Sequence, residues 1–99
     1  MNYILSYDIT SDKLRSQVSK QLTTLGCFRL QKSVFIGANF SVKEINALKS
    51  KIFKTFASKL KEDNDSFLCL PITKTQKKAM WWQASNPLPE FEFEKAIML

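Results

Sequence analysis

The first residue that could do chemistry is Asp8, a single carboxylate at the end of the apolar run NYILSYDI. A carboxylate in this position is either a ligand for a divalent cation or an acceptor for backbone N–H groups at the turn that follows. The sequence contains no histidine, which excludes nucleophilic sites of the Ser-His and Cys-His types and metal sites built on imidazole. Any catalysis therefore depends on carboxylates, cations, hydroxyl groups or a metal ion.

The charge balance favours a polyanionic partner. Lysine and arginine total 15 against nine aspartates and glutamates, which leaves a formal net charge of +6. Such an excess is typical of proteins that bind nucleic acids, although it also serves solubility alone. The two cysteines, Cys27 and Cys69, stand far apart without a CxxC motif, so neither a zinc site nor a disulfide framework is indicated. No run is long enough for a membrane helix, and we expect a cytoplasmic protein.

One strand and one helix must position Asp8. Alternation along NYILSYDI predicts a strand with Ile4, Ser6 and Asp8 on one face. Its other face is apolar and consists of Tyr3, Leu5, Tyr7 and Ile9. The next segment predicts a helix that begins at an N-cap, Thr10 or Ser11, and ends just before Gly26. Its apolar positions recur at helical spacing, at Leu14, Val18, Leu22 and Leu25.

The remaining segments predict further strands and a second helix. CFRLQKSVFIG is rich in strand-forming residues; it either runs straight or turns tightly near Lys32 or Ser33. SVKE at 41–44 fits a capping box and precedes an apolar helical stripe at Ile45, Leu48, Ile52, Phe56 and Leu60. SFLCLPI predicts a short strand that is ended by Pro71. The alternation in EFEFEKAIML predicts another, half-exposed strand.

The order of these elements matches the ferredoxin-like βαββαβ sandwich, an α+β fold with two helices on one face of an antiparallel sheet. We expect this domain to cover residues 1–72, followed by a C-terminal tail, residues 73–99, with a short extra strand. The opposite face of the sheet, which includes Asp8, would then be open and apolar. Such a face in so small a domain predicts a homodimer, in which two Asp8 side chains could approach each other.

Three motifs in this order resemble one family. YDI closes the first strand, RLQKSVF follows the first helix, and DSFLCLPI forms the last strand of the domain. Together they are similar to the family of the second CRISPR-associated protein, and the resemblance spans residues 3–72. It implies a ferredoxin-like homodimer that bridges dimers of the CRISPR integrase during spacer acquisition. It also implies a magnesium-dependent endonuclease, and a tail that adds a strand to the partner subunit's sheet.

The resemblance further implies roles for individual residues. The family's metal-binding aspartate falls on Asp8, and its neighbouring catalytic tyrosine falls on Tyr7. The residues that it implies for nucleic-acid binding are Arg15, Arg29, Ser33 and Phe35. The partners that follow are the integrase, duplex DNA and single-stranded RNA.

One departure bears on the metal site. Ile36 stands where many relatives have an acid, so each subunit offers a single carboxylate. Magnesium keeps several waters and takes oxygens from a phosphate substrate. The resemblance therefore implies one Mg²⁺ shared by the two Asp8 carboxylates of a dimer.

Each of these residues also has a structural interpretation. Tyr7 and Phe35 suit a hydrophobic core, and Phe35 could instead stack on a base. Arg29 suits an ion pair with Glu44 or Asp65 as well as a phosphate contact.

The tail holds a further ambiguous motif. Trp81 and Trp82 lie close to Lys77 and Lys78. This combination indicates either a stacking platform for nucleic-acid bases or an anchor that packs the tail.

An alternative function fits the same early strand with its acid. Virulence-associated ribonuclease toxins share the ferredoxin-like fold, and a stand-alone toxin would act on RNA without an integrase. A neighbouring CRISPR array in the genome would distinguish the two functions.

Overall fold

One antiparallel sheet organises the chain. The computed structural model describes residues 1–59 and 65–86. Its elements are β1 (Asn2–Asp8), α1 (Asp12–Thr24), β2 (Phe28–Gln31), β3 (Val34–Gly37), α2 (Val42–Lys59), β4 (Ser66–Ile72) and α3 (Lys74–Lys78). The strands lie in the order β2-β3-β1-β4, and every neighbouring pair is antiparallel. The predicted α+β fold with a ferredoxin-like arrangement is therefore confirmed.

β1 is a central strand that pairs with β3 on one side and with β4 on the other. Leu5 and Tyr7 are 0% and 5% exposed, whereas Asp8 is exposed. Leu5 lies opposite Phe35, which is fully buried as well, and opposite residues of an antiparallel pair project from the same face. The predicted division of β1 into a buried face and an outer face is confirmed.

α1 begins and ends where its sequence indicates. Of the two candidate N-caps, Ser11 is the one used, because its hydroxyl accepts a hydrogen bond from the Leu14 N–H at 3.2 Å. Just past the C-cap, Gly26 has a φ of +94°, a left-handed conformation that glycine adopts without steric cost. The buried face consists of Leu14, Val18 and Leu22.

α2 is held by the predicted capping box. The Ser41 N–H donates to the Glu44 carboxylate at 3.0 Å, and the Glu44 N–H donates to the Ser41 hydroxyl at 3.1 Å. These hydrogen bonds with Ser41 lower the pKa of Glu44. The apolar stripe of α2 packs into the core through Ile45, Leu48, Ile52 and Phe56. Leu60, the last predicted residue of the stripe, lies outside the described residues. Among the described helices, none is long and apolar enough to cross a membrane.

The core lies between the two long helices and one face of the sheet. Leu5, Tyr7 and Phe35 from the sheet contact the buried faces of α1 and α2 in a single cluster. Gln21 of α1 donates a hydrogen bond to the Thr55 hydroxyl of α2 at 2.9 Å, which joins the two helices. Each fully buried large apolar side chain contributes about 1.5–3 kcal/mol through its removal from water.

The segment CFRLQKSVFIG forms two strands joined by a tight turn, and not one straight strand. β2 ends at Gln31 and β3 begins at Val34. The pairing shifts register between Arg29 and Gln31, so the chain does not run straight through this segment.

The chain after α2 corrects one boundary and adds one element. Pro71 does not end β4, because the strand continues to Ile72 and Pro71 lies opposite Tyr3. Proline is tolerated there because β4 is an edge strand. The helix α3 was not predicted, although Thr73 and Gln76 form its capping box. The expected strand in EFEFEKAIML lies outside the described residues, and the division of the chain at residue 72 stays a prediction.

The same substitution at a buried and at an exposed phenylalanine tests this description of the core. We expect Phe35→Ala to lower the free energy of unfolding by about 3–5 kcal/mol, because it leaves a cavity between the sheet and the helices. Phe53→Ala removes an equal side chain that is 72% exposed, and it should change stability by no more than about 0.5 kcal/mol. Urea unfolding measures both values. Equal losses in the two variants would contradict this description of the core.

Candidate nucleic-acid interface

A polar cavity of about 520 Å³ opens between α1 and the β2–β3 hairpin. Its lining contains three cations, four hydroxyl groups and one carboxylate: Arg15, Arg29, Lys32, Tyr7, Ser16, Ser19, Ser33 and Asp12. The sequence has only two arginines, and both lie here. We refer to this cavity as the cationic pocket.

Arg15 reaches the pocket from the first turns of α1. One of its Nη atoms donates to the Ile9 carbonyl at 3.2 Å, and the other forms an ion pair with Asp12. The Asp12 side chain is 90% exposed, so this pair contributes little to stability. The bond to Ile9 orients the guanidinium at the end of β1.

The Lys32 carbonyl fixes the hairpin turn. It accepts a hydrogen bond from the Tyr7 hydroxyl at 3.2 Å and a second from an Nη atom of Arg29 at 2.6 Å. Arg29 also donates from Nε to the Gln31 carbonyl at 3.4 Å. The turn is thus held from the core by Tyr7 and from the pocket by Arg29.

Phe35 lies beneath the pocket and is completely buried. Its ring stacks on Tyr7 with centroids 6.2 Å apart, and the Arg29 guanidinium carbon lies 5.5 Å from the ring centroid. A buried ring offers no free face to a base. Within this fold, Phe35 therefore supports Arg29 and Tyr7 by packing.

The carboxylates considered as partners for Arg29 are engaged elsewhere. Glu44 accepts from Ser41 in the capping box. Asp65 accepts from the Thr10 N–H at 2.9 Å. Arg29 instead bonds to the backbone of its own hairpin, which leaves its charge without a carboxylate partner within the part of the chain that the structure describes.

Asp8 does not line the cationic pocket. It lies on the outer face of the sheet, opposite Ser66 of β4, whereas its neighbour Tyr7 faces the core. The backbone donors at the turn into α1 are bound by other residues, Thr10 N–H by Asp65 and Leu14 N–H by Ser11. Among the described residues, the side chains that accept hydrogen bonds at this turn are therefore those of Asp65 and Ser11, and not that of Asp8.

The side chains near Asp8 determine whether one chain can coordinate a magnesium ion. Within residues 1–59 and 65–86, no group of three or more acidic, cysteine or histidine side chains is placed to hold a metal. Mg²⁺ is often bound by one or two carboxylates, with water and phosphate completing its shell. The carboxylate of one chain fits such an ion only together with a second carboxylate from another copy or with oxygens of a bound phosphate.

The cysteines do not supply a nucleophile. Burial, and to a smaller extent the proximity of Cys69, raises the pKa of the Cys27 thiol to about 12. Burial also raises the pKa of Cys69, and Lys49 opposes that shift. Both thiols stay protonated at neutral pH, and a protonated thiol is a poor nucleophile.

The structure groups the predicted residues in two places. Tyr7, Arg15, Arg29 and Ser33 converge on the cationic pocket, with Phe35 beneath them, while Asp8 lies on the opposite face of the sheet. Sequence reasoning missed several pocket residues: Asp12, Ser16, Ser19 and Lys32. The first three could have been found, because positions 12, 16 and 19 form a polar stripe on one side of α1.

Curated relatives match about half of the chain. The CRISPR-associated endoribonuclease Cas2 of Korarchaeum cryptofilum is 46% identical over 46 residues, which is 46% of this chain and 50% of that protein. The CRISPR-associated endoribonuclease Cas2 1 of Francisella tularensis subsp. novicida is 45% identical over 47 residues, 48% of this chain and 47% of that protein. The chain thus spans about half the length of the curated relatives it matches.

Solved structures share the fold. The crystal structure of Streptococcus pyogenes Cas2 at pH 6.5 superposes with a TM-score of 0.69 at 20% identity and covers 85% of this chain and 100% of that one. A hypothetical protein from Thermus thermophilus, TT1823, superposes with a TM-score of 0.64 at 19% identity, over 90% of this chain and 94% of that one. At these identities the likeness concerns the fold alone.

The family model for CRISPR associated protein Cas2 matches residues 1–80. That range contains the whole four-stranded sheet, the cationic pocket and Asp8. It also contains the three motifs on which the sequence resemblance rests. The chain therefore belongs to the family of CRISPR associated protein Cas2.

Proposed function

We propose that this chain is the nucleic-acid-binding subunit of CRISPR spacer adaptation. In this role it acts as a homodimer that bridges integrase dimers, and it carries a magnesium-dependent endonuclease activity. The observation that carries the proposal is the cationic pocket, in which both arginines of the chain and Lys32 surround a polar cavity. Family membership supplies the CRISPR context, and the pocket supplies a place to hold phosphate groups.

The chemistry of the pocket suits a phosphodiester backbone. A guanidinium carries five N–H donors, and Arg29 uses its Nε and one Nη on the hairpin carbonyls. The remaining donors can bind phosphate oxygens with charge assistance. Because those carbonyls and the Phe35 ring already hold the guanidinium in place, binding loses little side-chain entropy.

The outer face of the sheet supports the homodimer. Leu68, Leu70 and Phe28 project from this face and are 52%, 49% and 48% exposed. Ile36, between Phe28 and Ile4 in the register, is already fully buried. Half-exposed apolar side chains on two strands of one sheet face are typical of a surface that a second copy covers.

The edge of the sheet supports a role for the C-terminal tail. β4 is an edge strand, so its outer backbone groups can pair with a further strand. In the proposed dimer, residues 73–99 add a strand to the partner's sheet and contact the integrase. The alternation of Phe91 and Phe93 with glutamates is suited to such an added strand.

Asp8 is the proposed ligand for Mg²⁺ and lies on the face assigned to the dimer. Two copies paired through this face would bring their Asp8 carboxylates toward each other, with Ser66 opposite each one. A bound Mg²⁺ would supply Lewis-acid polarisation of the scissile phosphate and activation of water. The cationic pocket would hold the substrate backbone, which is duplex DNA during adaptation and single-stranded RNA or DNA during cleavage.

The family match favours this role over a stand-alone ribonuclease toxin. The matching curated proteins carry CRISPR-associated names, and a toxin would require neither an integrase nor a duplex. A CRISPR array beside the gene is the observation that separates the two functions.

A salt titration tests the pocket. We expect Arg29→Ala to weaken binding to a blunt DNA duplex. The slope of the logarithm of the binding constant against the logarithm of the salt concentration should become less negative by about 0.9, because one phosphate contact is lost. Arg29→Lys should retain most of that slope, since the charge remains. Lys43→Ala removes an equal charge from the exposed surface of α2 and should leave the slope unchanged. Fluorescence anisotropy measures the affinity, and equal effects of Lys43→Ala and Arg29→Ala would contradict a specific pocket.

Cleavage of labelled RNA in Mg²⁺ tests Asp8. Asp8→Asn should reduce cleavage to background while binding persists, because the proposed metal ligand is lost. Glu44→Gln is the matched control, since it removes one carboxylate charge and keeps a capping-box residue. If the wild type and Asp8→Asn cleave at equal rates, the endonuclease part of the proposal is wrong.

Sedimentation analysis tests the dimer face. We expect Leu68→Glu to convert a dimer into a monomer, because it buries a charge within the apolar interface. Phe53→Glu places the same charge on α2, at a side chain that is more exposed than Leu68, and the dimer should persist. The reverse result would assign the interface to α2 instead of the sheet.

A further inference from the structure

The two tryptophans near the end of the described chain have different surroundings. The indole N–H of Trp82 donates to the Asn86 carbonyl at 2.9 Å, and its side chain is partly covered. Trp81 is 82% exposed, more than any other large apolar residue of the described part. Of the two interpretations of this motif, Trp82 fits the anchor, whereas Trp81 remains available to a ligand.

Hydrogen-bonded structure on both sides of Trp81 positions its backbone. α3 is closed at its start by the Thr73–Gln76 capping box. At its end, the Ala79 and Met80 N–H groups donate to carbonyls of the last turn, the latter to Lys77 at 3.1 Å. The Trp82 bond to Asn86 follows directly. The backbone of Trp81 thus lies between two hydrogen-bonded segments, and its ring projects into solvent.

The segment of sequence that contains Trp81 is basic. Between Asp65 and Glu90 the sequence contains no acidic residue, and its three lysines are Lys74, Lys77 and Lys78. All three belong to α3, which has no buried residue. α3 therefore lies on the surface and does not contribute to the core. Exposed aromatic rings beside cations are the combination with which proteins bind single-stranded nucleic acids.

This surface is distinct from the cationic pocket. The pocket lies at the end of β1 that contains Tyr7, whereas β4 delivers α3 from the other end, where Ile72 pairs with Asn2. These ends of β1 are roughly 17 Å apart, at about 3.3 Å per residue. Among the described residues, none beyond Ser33 lines the pocket.

We propose that Trp81, with the lysines of α3, binds an unpaired base of a nucleic acid whose backbone is held in the cationic pocket. The indole stacks on the base, and the lysines attract the adjoining phosphates. This contact favours strands with a single-stranded end over blunt duplexes, because a paired base offers no free face. The inference rests on the proposed nucleic-acid binding and adds a second site to it.

The two tryptophans are the only ones in the chain, so fluorescence can report on each separately. In Trp82→Phe, which loses the bond to Asn86 but keeps the hydrogen bonds that end α3, the emission comes from Trp81, and we expect strong quenching when oligothymidylate is added. In Trp81→Phe, the emission comes from Trp82, and the same titration should change it little. A blunt duplex should quench neither variant strongly.

Affinities supply a second measurement. Trp81→Ala should bind a duplex with a single-stranded overhang roughly tenfold more weakly, in line with the loss of one stacked base. Binding of the blunt duplex should be unchanged, and Trp81→Phe should restore much of the affinity for the overhang. Phe53→Ala, which removes another highly exposed ring, is the control and should not affect either ligand.

The outcomes separate this inference from the proposed function. Overhang binding by anisotropy without quenching of Trp81, or equal quenching by blunt duplex, would overturn the base contact and leave the pocket intact. Quenching by polyglutamate but not by oligothymidylate would identify an acidic polypeptide as the partner of Trp81 and would also overturn it. Absence of binding to every nucleic acid would overturn the proposed function itself.

Discussion

The alternation of β1 is the constraint on which the rest of the structure depends. β1 is hydrogen-bonded on both sides, so its register is set by β3 and β4 together. Tyr7 and Asp8 are consecutive residues and therefore project from opposite faces. A slip of one residue would bury the carboxylate and expose the tyrosine. The two candidate chemistries, phosphate binding and metal binding, are consequently separated by the thickness of the sheet.

The cationic pocket depends on this burial of Tyr7. The Tyr7 hydroxyl can reach the Lys32 carbonyl only from the core side, and Arg29 bonds to the same carbonyl from outside. Phe35, buried between them, contacts both. The positive charge of the hairpin is therefore attached to the hydrophobic core, and the residues that pack the fold also orient the residues proposed to bind phosphate. This explains why one short motif contains both an arginine and a fully buried phenylalanine.

Local signals in the sequence predicted the ends of the two long helices well, because those signals depend on neighbouring residues; α3 was missed although its capping box is equally local. α1 begins after Ser11 and ends just before Gly26. α2 begins at the capping box of Ser41 and Glu44. All of these signals act within one helical turn. The pocket could not be assembled in this way. Arg15 and Arg29 meet only because the topology returns β2 beside α1. The role of Asp65 as the acceptor for Thr10 likewise joins segments 55 residues apart, and no local pattern reports it.

The position of Asp8 would link the proposed dimer assembly to the proposed cation binding. In the proposed dimer, the sheet face would bring two carboxylates together, where like charges repel and desolvation penalises both. A cation bound between them would reduce that cost and so would also stabilise the dimer. Linkage requires the reverse as well: association of the subunits must increase affinity for the cation. A single acid per chain is a weak ligand set in one subunit, so the proposed metal site would be a property of the assembled dimer.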